Sequence, residues 1–342
     1  MERVIATRDI LKASFSLAVL GAIASVLGAC ATAPESRSAT TSERRSATTP
    51  ESRAATLSTE RIAEILASPD RSAADRTNDI RRKPDQMLAF IGVRPGMVAL
   101  DLSASGGYTT ELIARAVGPT GRVYGQSAPR DPARSPPAPS APEGAAFPPS
   151  AMPQTPAVVA TLSPAGRRTS PQALAERSKN PAAGNIIAVV QPFESPIPAE
   201  AASNTLDLVT LMFNYHDLGF LGVDRAQMNK AVFAALKPGG MYVIADHSGR
   251  PGTGISESGT LHRIEEAFLR QEVEAAGFKL AEQGNFMRNP SDPRDKNTPD
   301  PPQPKDEFVL KCRARTFERH ANVALKREPK NRESSHETYN AL

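Results

Sequence analysis

VALDLSASGGYTTELIARAVGPTGRVYGQ, residues 98–126, is the stretch whose reading decides the fold. Val98, Leu100 and Leu102 form an apolar run, with Asp101 where that strand must end. No side chain from Ser103 to Gly107 is larger than a hydroxymethyl, so backbone amides can come close to a ligand there. Leu112, Ile113, Ala116 and Val117 repeat at helical spacing, which opens a helix directly after the loop. A Gly-Pro-Thr-Gly turn and a second strand follow. A strand feeding a loop and a helix N-terminus is the ligand-binding corner of open α/β sheets. The dinucleotide fingerprint G-x-G-x-x-G is not met, which lowers a nicotinamide-cofactor reading.

Working outward, residues 57–96 carry three helical patterns, the third with Met87, Leu88 and Ile91 on one face and Gly92 at its end. Arg81, Arg82 and Lys83 read as a solvated basic turn, with an acidic substrate as the alternative. Residues 127–170 are proline-rich and aperiodic, an insertion expected to be disordered or to dock a partner. Helical residues from 170, the strand 186–193 and a strand opening 207–218 come next, the last ending in Asn214, Tyr215, His216 and Asp217. Asp224 caps a helix, LKPGG (236–240) is a turn, and MYVIADH (241–247) is a strand ending in Asp246-His247. A long helix is expected over 259–278, and EFVLKCR (307–313) is the last strand. Strand–helix alternation of this kind predicts a parallel sheet wrapped by helices on both faces.

Residues 1–30 have the three-part form of an export signal: Arg3, Arg8 and Lys12, then an apolar run from Ala13 to Leu27, then small residues before Cys30. Leu27-Gly28-Ala29-Cys30 resembles the bacterial lipobox, which implies a lipidated Cys30, a membrane anchor (the outer membrane preferred) and a periplasmic domain. An uncleaved anchor or an unusual leader on a cytosolic protein is the alternative. Residues 31–56 hold a short Ser/Thr/Ala/Glu/Arg repeat with nothing to bury, expected as a disordered tether. Beyond 316 the chain is polar and expected to be disordered. Of the 342 residues, these segments leave one domain of ordinary size at 57–315. Only two cysteines are present; with Cys30 lipidated, Cys312 stands alone and no structural disulfide is expected. A net charge of +4, no tryptophan and no basic stripe interleaved with aromatics disfavour nucleic-acid binding.

Residues 98–126 resemble motif I of class I S-adenosylmethionine (SAM) methyltransferases, an acidic residue followed by G-x-G-x-G. Asp101 and Gly107 fit that pattern, while Ser103 and Ser105 stand where two glycines are usual. GVRPGMVALDL, GPTGRVYG, LKPGGMYVIAD, and AAGFKL followed by EFVLK extend the resemblance over residues 84–313, the insertion excepted. It implies an α/β, doubly wound, Rossmann-like fold: a seven-stranded, mostly parallel sheet with an antiparallel last strand. NYHD, DHSGRPGTG, LHRIEEA and RNPSDPRD resemble, more narrowly, a bacterial group of predicted, often exported methyltransferases, which settles no substrate.

The resemblance implies SAM as cofactor, with Asp101, Ser103, Ser105, Gly106 and Gly107 along its methionine and ribose side. Gln126 stands in for the acidic residue that often holds the ribose hydroxyls, and Gln191 lies where adenine contacts arise. Asn214 lies where catalytic or substrate-orienting residues arise. The carboxyl ends of neighbouring strands meet at the ligand crevice, so His216 or His247 is the expected base, with Asp246 or Asp217 orienting it. Helix capping and loop tying are the plain alternative for each. Two His and two Asp can also hold a metal, but their spacing matches no tight ligand motif and no metal is expected. Tyr215 is read as pocket wall and His262 as a structural residue on a helix. Arg288, Asn289, Asp292 and Asp295 form either a loop over substrate or a solvated surface. The function expected is methyl transfer to a small-molecule acceptor by direct displacement. SAM is made in the cytosol whereas the N-terminus reads as exported, so two alternatives stay open: a membrane-tethered, non-catalytic ligand-binding protein, or a scaffold, each with a degenerate methyltransferase fold.

Overall fold

The computed structural model describes residues 55–129, 168–298 and 305–314. The export segment with Cys30, the tether to residue 54, residues 130–167 of the insertion and the tail beyond 314 lie outside the described residues.

Three short helices come first. Ser58 and Ser72 accept hydrogen bonds from the first-turn amides of Arg61 and Asp75, and so start α1 (Thr59–Ala67) and α2 (Ala73–Arg82). Pro84 at the first position opens α3 (Pro84–Ile91), and Gly92, at φ 73°, closes it. Next come β1 (Val98–Leu102), α4 (Tyr108–Val117) and β2 (Arg122–Ser127). Beyond the insertion lie α5 (Ser170–Arg177), β3 (Ile186–Val190), β4 (Leu206–Met212), α6 (Tyr215–Phe220) and α7 (Arg225–Ala235). The domain ends with β5 (Leu236–His247), α8 (Glu266–Ala275), β6 (Lys279–Gly284) and β7 (Glu307–Arg313).

The seven strands form one sheet in the order β3-β2-β1-β4-β5-β7-β6. β3 through β5 run parallel, and β7 lies antiparallel between β5 and β6. Alternate residues of the central strands face opposite cores. Leu100, Val209 and Ile244 pack with Val232, Leu269 and Val273 on one face, while Ala99, Leu208 and Val243 pack with Leu88, Ile91 and Ile113 on the other. Burial on both faces explains why β1 and β4 read as nearly unbroken apolar runs. Helices cover both faces and the last strand is antiparallel, as the sequence implies.

Three local readings are corrected. LKPGG, expected as a turn, lies within β5: the partners jump from Leu206↔Leu236 to Leu208↔Met241, so residues 237–240 form a bulge in the strand. Residues after β4 form a one-and-a-half-turn helix, α6, because Asp246 accepts the His216 amide at 2.8 Å and anchors its first turn. The long helix expected from 259 begins only at Glu266. His262 is therefore not helical: its φ is 52°. The cause is Ile264, whose amide donates to His247 O and whose carbonyl accepts from the Gly249 amide, which spends the backbone groups a helix would need.

Candidate functional site

The loop between β1 and α4 is built on left-handed backbone. Ser103, Ser105 and Gly107 have φ of 55°, 50° and 80°. These are the three positions where G-x-G-x-G would place glycine, so the serines occupy a conformation that L-residues adopt at a cost. Glycine is indispensable only at the third, where an added Cβ would lie 2.7 Å from Leu174 and 2.8 Å from Arg177, both on α5. At Gly106 an added Cβ would meet nothing within 4 Å.

Gln126 braces this loop from below. Its Oε1 accepts from the Ser103 amide at 3.0 Å, its Nε2 donates to Gln191 O at 2.7 Å, and its carbonyl accepts from the Ala104 amide at 2.8 Å. The side chain is fully buried, so the expected ribose contact from Gln126 is replaced by a structural role. Gln191, half-buried, takes part through its backbone, its amide donating to Ser127 O at 3.0 Å. Ser127, opposite Val190, is the residue that ends β2. Its buried hydroxyl has no hydrogen-bond partner among the described residues. The motif pointed to Gln126; the sheet register puts Ser127, one residue on, at the strand's end.

Asp101 lies under the loop, buried, and accepts from Thr110 Oγ1 at 2.6 Å and Thr210 Oγ1 at 2.7 Å. Burial pushes its carboxyl up to about 6, against the pull of the two hydroxyls. The front helices are clamped on by ion pairs that sequence reasoning missed. Arg71 binds Asp79 through both guanidinium nitrogens, at 2.7 and 2.8 Å, and Asp79 also accepts from Tyr108. Arg177 donates to Gly106 O, to Asp75 and to Glu111, joining α5, the loop, α2 and α4. The basic turn is drawn inward: Arg82 stacks 4.0 Å over the Phe213 ring, Arg81 bonds Glu307 at 2.8 Å, and Lys83 bonds Phe286 O at 2.6 Å. The apolar cavity between α3, α4 and Phe213 measures about 20 Å³, room for a water molecule and not for a cofactor.

The second cluster stands at the carboxyl ends of β4 and β5. Asp246, fully buried, accepts from the amides of His216 and His247 and lies 2.6 Å from His216 Nδ1. His216 Nε2 lies 3.1 Å from Asp217 Oδ1, and the same oxygen lies 3.0 Å from His262 Nδ1. Asn214 Nδ2 donates to Asp217 Oδ2 at 2.8 Å. Burial pushes the His216 ring down, but Asp246 and Asp217 push it up further, to about 10. Burial likewise raises Asp217, yet its two histidine neighbours hold it well below the usual carboxylate range. A ring protonated on both nitrogens takes no further proton, so His216 is no base in this arrangement. His247 is held neutral by burial. Its Nδ1 approaches Glu307 to 2.9 Å without hydrogen-bond alignment. Tyr215 is part of the core, its hydroxyl bonded to Glu272 and Asn229. His262, a turn residue whose side chain is 34% exposed, is the most exposed histidine of the cluster.

Arg288, Asn289 and Asp292 are structural. Arg263, fully buried, binds Asp292, Ser248 O and Lys296 O, while Asp306 accepts from the Asn289 amide and from Arg288 and Arg294. Among the described residues no hydrogen bond or ion pair ties Asp295.

The strand order, with β1 and β4 flanking the switch in direction and β7 inserted antiparallel beside β5, is decisive. The fold is that of the class I methyltransferases. No protein-family model matches the chain, and no curated protein matches it. Among solved structures, a SAM-dependent methyltransferase from Aquifex aeolicus is 14% identical, with 71% of this chain and 100% of that chain covered at a TM-score of 0.43. An arsenic(III) S-adenosylmethionine methyltransferase from Chlamydomonas reinhardtii is 16% identical, with 75% and 73% covered and a TM-score of 0.43. A fibrillarin from Aeropyrum pernix, crystallised with SAM, is 14% identical, with 64% and 67% covered and a TM-score of 0.36. The fold assignment rests on the strand order and the antiparallel β7.

Proposed function

We propose that the protein binds SAM over the carboxyl ends of β1 to β4 and passes its methyl group to a small-molecule acceptor beside β4 and β5. The observation that carries this reading is the 103–107 loop, left-handed at three alternate residues between a buried strand and a helix N-terminus. Fold alone does not fix function, so the fit of the residues matters. Two features fit: the loop crest at Gly106 is open, and the Ser127 hydroxyl, without a partner among the described residues, ends β2, where ribose hydroxyls would arrive. One departs: no carboxylate ends β2, and Gln126 is committed to the loop.

Bound SAM supplies a methyl group on a sulfonium, leaving a neutral thioether. The chain's part is to orient and enclose. Asp101 ties α4 and β4 beneath the loop, and the Arg177 and Arg71 clamps hold α2 across it. Fixing both reactants in line accounts for much of the rate in such displacements. Asn214, His216 and Asp246 position Asp217, and His262 is the group placed to exchange a proton with an acceptor.

Calorimetric titration of SAM and its demethylated product into the full-length protein tests the reading, with Gly106→Val as control. The variant's Cβ has open space, so its melting temperature should match wild type while affinity falls at least tenfold. Folded wild-type protein that binds neither compound would overturn the proposal. Binding without transfer to any acceptor screened would move the protein to the non-catalytic alternative.

A further inference from the structure

We propose that His216, Asp217 and His262 form a binding site for a divalent first-row transition ion, open on one side to the crevice. The three ligand atoms, His216 Nε2, Asp217 Oδ1 and His262 Nδ1, all lie within 4.8 Å of one another. The two histidine nitrogens stand 3.1 and 3.0 Å from that oxygen. Ligands ~2.1 Å from a common ion and at right angles are ~3.0 Å apart, so both edges have the length a facial coordination set requires. Two imidazoles and one carboxylate suit zinc, iron, cobalt or nickel better than magnesium or calcium.

The surroundings match what such sites need behind the ligands. A metal-binding histidine gives its other ring N–H to a carboxylate that fixes its tautomer and orientation. His216 Nδ1 faces Asp246 at 2.6 Å, and Asp246 is itself fixed by two backbone amides. Asn214 takes Asp217 Oδ2 at 2.8 Å and leaves Oδ1 to point between the histidines. His262 reaches the cluster only because its backbone is left-handed, at φ 52°, a strained conformation held by the buried Arg263 beside it and by the Thr298 amide on Leu261 O. The side chains of Asp217 and His262 keep 29% and 34% exposure, so water or an acceptor oxygen could complete the coordination. An ion here takes the place of the proton between His216 Nε2 and Asp217, and that proton leaves to solvent. The inference stands whether or not the protein transfers methyl groups.

The test uses full-length protein treated with chelator and then titrated with Zn²⁺ by calorimetry and with Co²⁺ by visible absorption. One ion per chain at micromolar affinity or tighter is expected, with the cobalt spectrum of a nitrogen–oxygen site. His262→Ala and Asp217→Asn should each weaken binding at least tenfold, while His320→Ala and His336→Ala leave it unchanged. Ring NMR signals of His216 and His262 in the wild-type protein should broaden first on adding Co²⁺, a readout that needs no variant to fold. Absence of stoichiometric binding, binding indifferent to His262→Ala and Asp217→Asn, or broadening elsewhere would overturn the site.

Discussion

Asp101→Asn should make the protein more stable at neutral pH, though it removes the acidic residue of the loop motif. The wild-type carboxyl is fully buried and raised from 3.8 to about 6 by desolvation. At about 1.4 kcal/mol per pH unit, keeping it ionised costs the folded state about 3 kcal/mol. The sign follows from the direction of the shift. A carboxyl raised on folding favours the native state while protonated, and that advantage is lost as pH climbs from about 4 through about 6. Asparagine has no charge to desolvate, and the Thr110 and Thr210 hydroxyls can rotate to serve an amide as they serve the acid. Urea denaturation followed by far-UV circular dichroism from pH 4 to pH 8 measures the difference directly. The variant's advantage over wild type should widen by about 2 kcal/mol between pH 4 and pH 6 and stay level above pH 7. A gap that is flat across the window, or that narrows as pH rises, would refute the reasoning and show that the two hydroxyls offset the burial.

Ser103→Gly and Ser105→Gly should each hold or raise stability, since relief of a left-handed residue is worth about 1–2 kcal/mol and the added chain freedom of glycine returns about 0.4–1. Thermal denaturation showing a loss above 1 kcal/mol in either variant would mean that the serine hydroxyls hold the loop. Asp292→Ala leaves the guanidinium of Arg263 buried without its carboxylate and should cost about 3–5 kcal/mol, read as a fall in the urea midpoint; a near-neutral result would mean that the 286–298 segment detaches at little cost.

Much of the sheet was legible because burial on both faces leaves β1, β4 and β5 as apolar runs that can be read without any partner. The start of α7 was equally local, marked by Asp224, whereas the roles of Ser58, Ser72 and Pro84 in starting the front helices are seen only in the structure. The readings that failed depended on distant residues. Ile264 gives its backbone to residues 247–249 rather than to a helix, and no periodicity in 259–278 announces that. His262 leaves the expected helix for the same reason, and its left-handed turn sets it 3.0 Å from Asp217.

The site divides along the same line. Sequence alone determined that a small-residue loop follows a buried strand, that polar residues end β4 and β5, and that these ends share one edge of the sheet, because residue size, hydropathy period and strand direction are local properties. What each polar group does was decided only by tertiary structure. Gln126 turns inward and Ser127 is left with the strand end; His216 is locked between Asp246 and Asp217; Arg263, 46 residues from Asp217 in the chain, sets the backbone that brings His262 to it. Charge, protonation and coordination depend on distances between residues far apart in sequence, and only the folded chain sets those distances.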